Sequence, residues 1–334
     1  MPFFDKLKEA VIGKPHDPLN PETRHHLALV AFLAWIGLGA DGLSSSCYGP
    51  EEAFLALGHY THFGLYLAAA TFLTVFVIAL AYNQVIELFP TGGGGYKVAT
   101  QLLGPRAGLV SGSALLVDYV LTIAISIASG VDALFSLLPP NAQSFKLTAE
   151  IALIIVLIVL NLRGMKESIK ILLPIFLGFF FTHAFLILYG VIAHFEGLPH
   201  LIPDTISETQ QLTGQMGWAF AVALFLRAYS LGGGTYTGLE AVSNNVNMLS
   251  EPRVRTGKYT MLYMAGSLSF TAGGIILLYL LWQVQSVPHQ TLNAVTFSAI
   301  INSWQLPPVL SHSLLAVVLL LEGGLLFVAA NTGF

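Results

Sequence analysis

Two acidic side chains lie within long apolar segments of this 334-residue chain. Asp41 belongs to the stretch GLGADGLSSSCYGP, and Glu240 belongs to LGGGTYTGLEAVSN. An ionised carboxylate near the centre of a bilayer costs about 3 kcal/mol or more, so both residues are candidates for a function. Each would attract a cation, unless Arg227, the one arginine inside a hydrophobic segment, pairs with it. Three further acidic residues within such segments are alternative partners for that arginine: Asp118, Asp132 and Glu322.

Side chains that carry oxygen accompany these two carboxylates. Tyr119, Thr122 and Ser126 are spaced by three and four residues, so they share one face of a helix. For each one alone, a hydroxyl that bonds to a carbonyl of its own helix is the simpler interpretation. A dehydrated alkali cation needs oxygen ligands, and six side chains together could supply them: Asp41, Tyr48, Tyr119, Thr122, Ser126 and Thr237.

The composition indicates that lipid surrounds these groups. The chain is 55% hydrophobic and 10% charged, and its mean hydropathy is +0.73. Soluble domains contain about 25% charged residues. We therefore expect an all-α integral membrane protein with several spans.

The same composition excludes several other classes of protein. A single cysteine, Cys47, excludes intrachain disulfides, and the histidines show no metal-ligand spacing, so we expect His183, alone inside a segment, to be packed or bonded. The net charge of -4 comes without a basic patch, so we expect no nucleic-acid partner. Because Ser44, Ser45 and Ser46 lack a G-x-S-x-G context, we expect neither an enzyme nor a cofactor.

Eight hydrophobic segments follow one another along the chain, and we predict that each crosses the membrane. They cover residues 27–58, 62–88, 108–138, 147–162, 169–194, 217–249, 259–284 and 311–334. After the second segment, PTGGGGYKVAT at 90–100 lacks the G-K-[ST] of a phosphate-binding loop, and we interpret it as a re-entrant or gating loop. The chain stops within the eighth segment, so we expect a fragment whose transmembrane domain, residues 27–334, is incomplete at its C-terminal end.

Lysine and arginine predict the orientation of these segments. Only Lys146 lies in the loops of one side of the membrane, apart from Arg227 within a segment. The tail at 1–26 and the loops on its side of the membrane would then be cytoplasmic, in the plasma (inner) membrane. Twelve basic residues lie on that side: Lys6, Lys8, Lys14, Arg24, Lys97, Arg106, Arg163, Lys166, Lys170, Arg253, Arg255 and Lys258.

The first and sixth segments each contain residues that disfavour a continuous helix. Pro50 suits the first turn of a second half-helix, and consecutive glycines destabilise a helix by about 1 kcal/mol each. Two interrupted spans at corresponding places indicate the substrate site of an inverted-repeat transporter, with kinked helices and packing glycines as the alternative. We assign the backbone of the two breaks to five glycines: Gly39, Gly42, Gly232, Gly233 and Gly234.

Three motifs resemble those of the amino acid–polyamine–organocation superfamily and, within it, those of the KUP potassium importers of the KimA type. ADGLSSSCYGPEEAF is similar to that family's first-span motif, and PTGGGGYKVA is similar to its loop after span two. LRAYSLGGGTYTGLEAVSN is similar to its sixth-span signature. The resemblance covers essentially the whole chain, and it implies a LeuT-type fold of which about eight transmembrane helices are present, with spans 1 and 6 broken.

The resemblance also implies a cargo and the residues that bind it. Potassium would enter by proton symport, with the cation at the six oxygen-bearing residues named above, and Glu240 matches the acidic residue linked to proton coupling. The segment Gly234-Thr235-Tyr236 departs from the family's pattern, because smaller apolar residues are expected there.

Two rival functions stay open beside potassium import. An amino-acid or polyamine permease of the same fold would also suit Asp41, since a carboxylate attracts an amine. A transport-inactive membrane sensor or fragment is the second rival. The expected partners are potassium, a proton and the lipid bilayer, and a homodimer is left open.

Overall fold

A computed structural model describes residues 28–162 and 169–333, and these residues form an all-helical structure. No strand occurs in the described ranges, where an isolated bridge joins Leu29 to Leu249. Their α-helices are α1 (Ala31–Ser44), α2 (Gly49–Leu55), α3 (Gly64–Leu88), α4 (Gly94–Val98), α5 (Pro105–Phe135), α6 (Lys146–Leu162), α7 (Ile169–Ala193), α8 (Leu198–Met216), α9 (Trp218–Leu231), α10 (Ala241–Asn244), α11 (Arg253–Leu281), α12 (Leu292–Ser303) and α13 (Pro308–Thr332).

Within the described residues, six helices are long and apolar enough to cross a membrane, which supports a multi-pass membrane protein. They are Thr61–Leu88, Pro105–Phe135, Pro140–Asn161, Leu172–Ala193, Arg253–Leu281 and Pro308–Thr332. Each corresponds to one of the eight predicted segments. The other two segments, 27–58 and 217–249, are divided into shorter helices: α1 and α2 in the first, α9 and α10 in the second.

Helix α11 lies at the centre of the helix bundle. In the most apolar stretch of α11, 72% of the residues are buried. In the most apolar stretch of Pro140–Asn161, 0% are buried. α11 packs on α1, α3 and α7, and α13 packs on α1, α5 and α7. Trp35 of α1 fixes this arrangement, because its indole N–H donates to Ser267 Oγ at 3.0 Å while Phe176 and Phe180 of α7 contact its ring edge-on. The interior is therefore a rigid support for the N-terminal half of the first interrupted segment.

Three described helices have no counterpart among the predicted segments: the short α4, within the loop at 90–100, and the longer α8 and α12. α8 is polar on one side and buries Leu201, Thr205 and Leu212 on the other. Its Glu208 accepts a hydrogen bond from the Phe63 backbone N–H at 3.3 Å, which ties it to the start of α3. The predicted cytoplasmic tail at 1–26, with its basic residues, lies outside the described residues, as do Arg163 and Lys166.

Candidate functional site

The first interruption separates α1 from α2 at residues 45–48. Three residues of 3-10 helix, Ser45–Cys47, follow α1, and α2 begins at Gly49 with Pro50 in its first turn. The prediction that Gly39 and Gly42 form the break was wrong, because both lie within the regular helix α1.

Serine hydroxyls explain why the helix extends past those glycines. Ser44 Oγ donates to the Asp41 carbonyl at 2.7 Å, and Ser46 Oγ donates to the Leu43 carbonyl at 2.7 Å. These bonds satisfy carbonyls near a helix end, which otherwise lack partners. The two glycines instead allow close packing: a Cβ on Gly39 would lie 3.3 Å from Met264 Cγ of α11.

The second interruption separates α9 from α10 at residues 232–240. Gly232, Gly233 and Gly234 begin a 3-10 helix, Gly232–Tyr236, so the structure places these three predicted glycines outside α-helix. Thr237 is extended, and Gly238 has a φ of +85°, a conformation that residues with a Cβ rarely adopt. Helix α10 then starts at Ala241.

The two interrupted segments contact each other through their backbones, at and beside the interruptions. A Cβ on Gly238 would lie 2.4 Å from Gly42 N, and a Cβ on Gly49 would lie 2.8 Å from Thr235 N. Ser45 Oγ lies 2.7 Å from the Thr235 carbonyl and 2.5 Å from the Gly42 carbonyl, so its hydroxyl links both segments. α1 contacts α10, and α2 contacts α9, so the two segments run antiparallel.

We call the contact between residues 41–49 and 235–238 the junction, and three of the predicted cation ligands lie there: Asp41, Tyr48 and Thr237. Tyr48 is 6% exposed, and its hydroxyl is 3.3 Å from Thr237 Oγ1. Asp41 lies in the last turn of α1, and its carbonyl carbon would be 2.9 Å from a Cβ on Gly238, the residue after Thr237. Asp41 Oδ1 is buried and has no hydrogen-bond partner among the described residues. A buried carboxylate oxygen without a partner is costly, so the junction is suited to a positive ligand.

The three predicted ligands on α5 have different surroundings. Tyr119 accepts a hydrogen bond at its hydroxyl from Asn244 Nδ2 at 3.3 Å, at the end of α10. Thr122 and Ser126 are buried, and Ser126 Oγ has no partner in the described part of the chain. No described hydrogen bond joins Thr122 or Ser126 to the junction, so of these three residues Tyr119 alone is hydrogen-bonded to α10, the helix that follows the second interruption.

An open cleft of about 490 Å³ lies beside the junction. Glu240, Thr237 and Asp118 contribute oxygens to it, and Tyr236, from the segment that departs from the family's pattern, lines it as well. The Tyr236 hydroxyl donates to Thr71 Oγ1 at 3.4 Å, which holds its ring against α3. The full lining is Tyr82, Gly95, Tyr96, Ser111, Ala114, Leu115, Asp118, Gly233, Tyr236, Thr237, Glu240 and Asn244.

The glycine-rich segment at 90–100 forms one wall of this cleft. The Gly93 backbone N–H donates to the Asn244 carbonyl at 3.0 Å. A Cβ on Gly94 would lie 1.8 Å from Asn244 Oδ1, and the φ of Gly94 is +46°. Gly95 and Tyr96 face the cleft. The segment is therefore attached to the last residue of α10, which follows the second interruption.

The acidic groups of the site have no basic partner in the described residues. Asp41, Asp118 and Glu240 lie within electrostatic range of one another, yet none belongs to an ion pair there. Arg227 is exposed and forms no ion pair with Asp41 or Glu240 within the described ranges. The alternative in which this arginine neutralises either carboxylate is therefore not what the structure shows.

Asp118 and Asn244 are site residues to which the sequence analysis gave no role in the site. Asp118 was considered only as a partner for Arg227, although it immediately precedes Tyr119. Asn244 was named only as the last residue of the motif that resembles the sixth-span signature. Its side chain contacts the Tyr119 hydroxyl, and its backbone carbonyl accepts from the segment at 90–100.

Comparison with known proteins gives a consistent set of relatives. The model of the amino acid permease family matches residues 42–305. The potassium transporter KimA of Bacillus subtilis (strain 168) is 32% identical over 297 residues, which are 87% of this chain and 47% of that protein.

More distant relatives carry a similar description. The low affinity potassium transport system protein Kup of Yersinia pestis bv. Antiqua (strain Antiqua) is 24% identical over 325 residues, 90% of this chain and 48% of its own. Kup of Yersinia pseudotuberculosis serotype O:1b (strain IP 31758) is 25% identical over 323 residues, 89% of this chain and 48% of its own. The chain spans about half the length of the curated relatives it matches. All of these relatives are named as transporters, which confirms the expectation that the chain is not an enzyme.

Proposed function

The chain belongs to the amino acid permease family, and from that premise we propose that it forms part of a secondary active transporter that imports potassium by proton symport. The names of the relatives KimA and Kup support potassium as the cargo. The observation that carries the proposal concerns Asp41, at the junction of the two interrupted segments. Its Oδ1 atom is buried and has no hydrogen-bond partner among the described residues. A potassium ion supplies the charge that this carboxylate lacks.

The proposed fold is the LeuT-type inverted repeat, with residues 27–58 and 217–249 as broken spans 1 and 6. The antiparallel course of the two segments and their backbone contacts support it. With these two spans and the six long helices, the domain at 27–334 has eight spans. The excess of basic residues on one side supports a cytoplasmic N-terminus in the inner membrane.

In the proposed site, oxygens of both interrupted spans replace the hydration shell of the ion. Asp41 stays ionised as the counter-charge, and Tyr48 with Thr237 contributes two hydroxyls that already lie 3.3 Å apart. The ligands from α5 are Tyr119, Thr122 and Ser126, and the buried, unpartnered Ser126 Oγ is free to turn toward an ion. A cation that enters gains about 2.3 kcal/mol for each 100 mV of inside-negative potential.

Glu240 is the proposed proton carrier of the symport. It lines the open cleft, where it meets water, and it lies three residues after Thr237. Near Asp41 and Asp118, an ionised Glu240 adds a like charge that a proton removes. Exchange of that proton with the cleft would therefore couple the charge of the site to the pH of the adjoining solution.

The experiment is uptake of radioactive rubidium into proteoliposomes, driven by a pH gradient, with the protein at its natural full length. We expect uptake that potassium competes, and we expect Glu240→Gln to lose its dependence on the pH gradient while it still binds the ion. Glu87→Gln is the control, because Glu87 pairs with Lys258 at the surface. If rubidium uptake by Glu240→Gln depends on the pH gradient as that of the wild type does, Glu240 is not the proton carrier.

An amine or amino-acid substrate is the second candidate, because the matching family model is described as an amino acid permease. The cleft of about 490 Å³ is also larger than a bare cation requires. Competition of the uptake by amines and not by potassium would favour this candidate. Saturable binding without flux would favour a membrane sensor, and a homodimer is tested by the mass of the purified protein.

A further inference from the structure

A fully buried polar network lies apart from the cleft, where α7, α11, α12 and α13 meet the first interruption. Glu322 on α13 is 1% exposed, and His183 on α7 is 0% exposed. Asn293 Nδ2 donates to Glu322 Oε1 at 2.9 Å and to the Cys47 carbonyl at 3.3 Å. The Tyr279 hydroxyl donates to Asn293 Oδ1 at 2.6 Å. The network thus extends from the middle of α13 to the backbone of the interruption.

The hydrogen bonds of His183 determine its tautomer. Its Nδ1 lies 3.0 Å from the Phe179 carbonyl oxygen, and because a carbonyl can only accept, Nδ1 carries the hydrogen. Thr182 Oγ1, 3.4 Å from Nδ1, donates instead to the Gly178 carbonyl at 2.7 Å. In the neutral ring, the lone pair is therefore on Nε2. The ring is held by Phe179, stacked at 3.8 Å, and by Phe297, edge-on at 5.0 Å.

His183 Nε2 faces Glu322 Oε2 across 3.7 Å, and neither atom has a hydrogen-bond partner in the described part of the chain. With a neutral imidazole and an ionised carboxylate, two lone pairs would face each other without a donor, around an uncompensated buried charge. One proton, on either atom, supplies the missing donor. We propose that His183 and Glu322 form a second proton-binding site, separate from Glu240.

The described groups around Glu322 are neutral or acidic apart from His183, so a bound proton serves as the counter-charge of this carboxylate. Cys47, Tyr279 and Glu51 lie within electrostatic range of Glu322, and none of them is a cation. Helix α12 presents the neutral Asn293. On α5, Asp132 is paired with Lys146 at the surface, so that lysine is already engaged. Apart from His183, no basic side chain forms an ion pair with Glu322 among the residues described.

The site is connected to the first interruption by one side chain. Asn293 donates both to Glu322 Oε1 and to the carbonyl of Cys47, the residue before Tyr48. A hydrogen bond to an unpaired, ionised carboxylate is stronger than one to a carboxylate that is protonated or that shares its charge with an imidazolium ring. A proton on either Glu322 or His183 therefore weakens the hold on Asn293. Proton binding here therefore acts on the backbone next to the cation site without contact with the cation. The inference does not require the proposed function, because proton binding is measured without transport.

Infrared difference spectroscopy of the full-length protein in lipid, titrated with acid without potassium, tests the site. We expect one titrating band of a carboxylic acid or an imidazolium ring to disappear in Glu322→Gln. The new amide accepts from Asn293 and donates to His183 Nε2, so this variant resembles the protonated state and should fold. We expect the band to be lost or shifted in His183→Gln and unchanged in Glu87→Gln, a surface control.

The proposal is overturned if Glu322→Gln retains every titrating band of the wild type. It is also overturned if His183→Gln leaves the Glu322 band at the same frequency and the same midpoint pH. A protein that fails to take up rubidium but shows the expected loss of the band would refute the proposed transport and leave the proton site in place.

Discussion

Among the glycines of the two interrupted segments, Gly238 comes nearest to the backbone of the opposite segment, and Gly238→Ala tests whether that approach forms the site. Its φ is +85°, and an added Cβ would lie 2.4 Å from Gly42 N and 2.7 Å from Gly42 Cα. Both obstacles are backbone atoms of α1, which cannot rotate away as a side chain would. Ordinary van der Waals contact begins at 3.4 Å, so the segments must separate by about 1 Å.

The expected cost has two parts. A residue with a Cβ at positive φ is strained by about 1–2 kcal/mol, and the separation of the segments displaces Asp41 from Thr237. The strain is present in the free and the bound protein alike, so only the displacement of Asp41 from Thr237 weakens binding. A loss of about 1.4 kcal/mol there makes cation binding about tenfold weaker. The thermal stability of Gly238→Ala should also fall. Gly266→Ala is the control, because a Cβ there meets nothing within 4 Å and Gly266 lies on α11, outside the lining of the cleft.

The assay is binding of rubidium to the purified protein, together with its thermal unfolding in the presence and absence of potassium. Gly266→Ala should behave like the wild type within about 0.5 kcal/mol. If Gly238→Ala binds rubidium with unchanged affinity and unfolds at the wild-type temperature, the contact between the two segments is not what forms the site.

Two further predictions concern the elements around the junction. Ser45→Ala removes the hydroxyl that links the two interrupted segments, whereas Ser46→Ala removes one that bonds within its own segment. We expect the free energy of unfolding to be about 1 kcal/mol lower in Ser45→Ala than in Ser46→Ala. Equal thermal stabilities of the two variants would contradict the link. Gly94→Ala places a Cβ 1.8 Å from Asn244 Oδ1 and should reduce rubidium uptake several-fold. A Cβ at Gly266 on α11 meets nothing within 4 Å, so Gly266→Ala should transport normally. Equal uptake by both glycine variants would show that the segment at 90–100 does not gate the cleft.

Long apolar runs predicted the six long helices, because a membrane requires continuous helices of about 20 apolar residues. The end of α1 was mispredicted, since glycine and serine propensities favour a break near Asp41, whereas the serine hydroxyls satisfy carbonyls of their own helix. α8 was not predicted, because its polar face keeps its hydropathy below that of a span. Its packing depends on contacts with the start of α3, which no local pattern encodes.

The charged residues of the site could be predicted because charge in an apolar segment is costly. This reasoning identified Asp41 and Glu240, and the structure places them at and beside the junction. Local spacing could not show that Asn244 joins Tyr119 to the glycine-rich segment. Nor could it show that His183 and Glu322 face each other, since only the packing of α7 on α13 brings them together.

The most direct test of the central claim is rubidium binding and uptake by full-length protein that carries Asp41→Asn. Asparagine keeps the size of the side chain and removes its charge, so we expect a folded protein that loses saturable rubidium binding. Asp132→Asn is the control, because Asp132 pairs with Lys146 at the surface, and it should bind as the wild type does. Wild-type rubidium affinity in Asp41→Asn would contradict the claim that this carboxylate is the counter-charge of the transported cation.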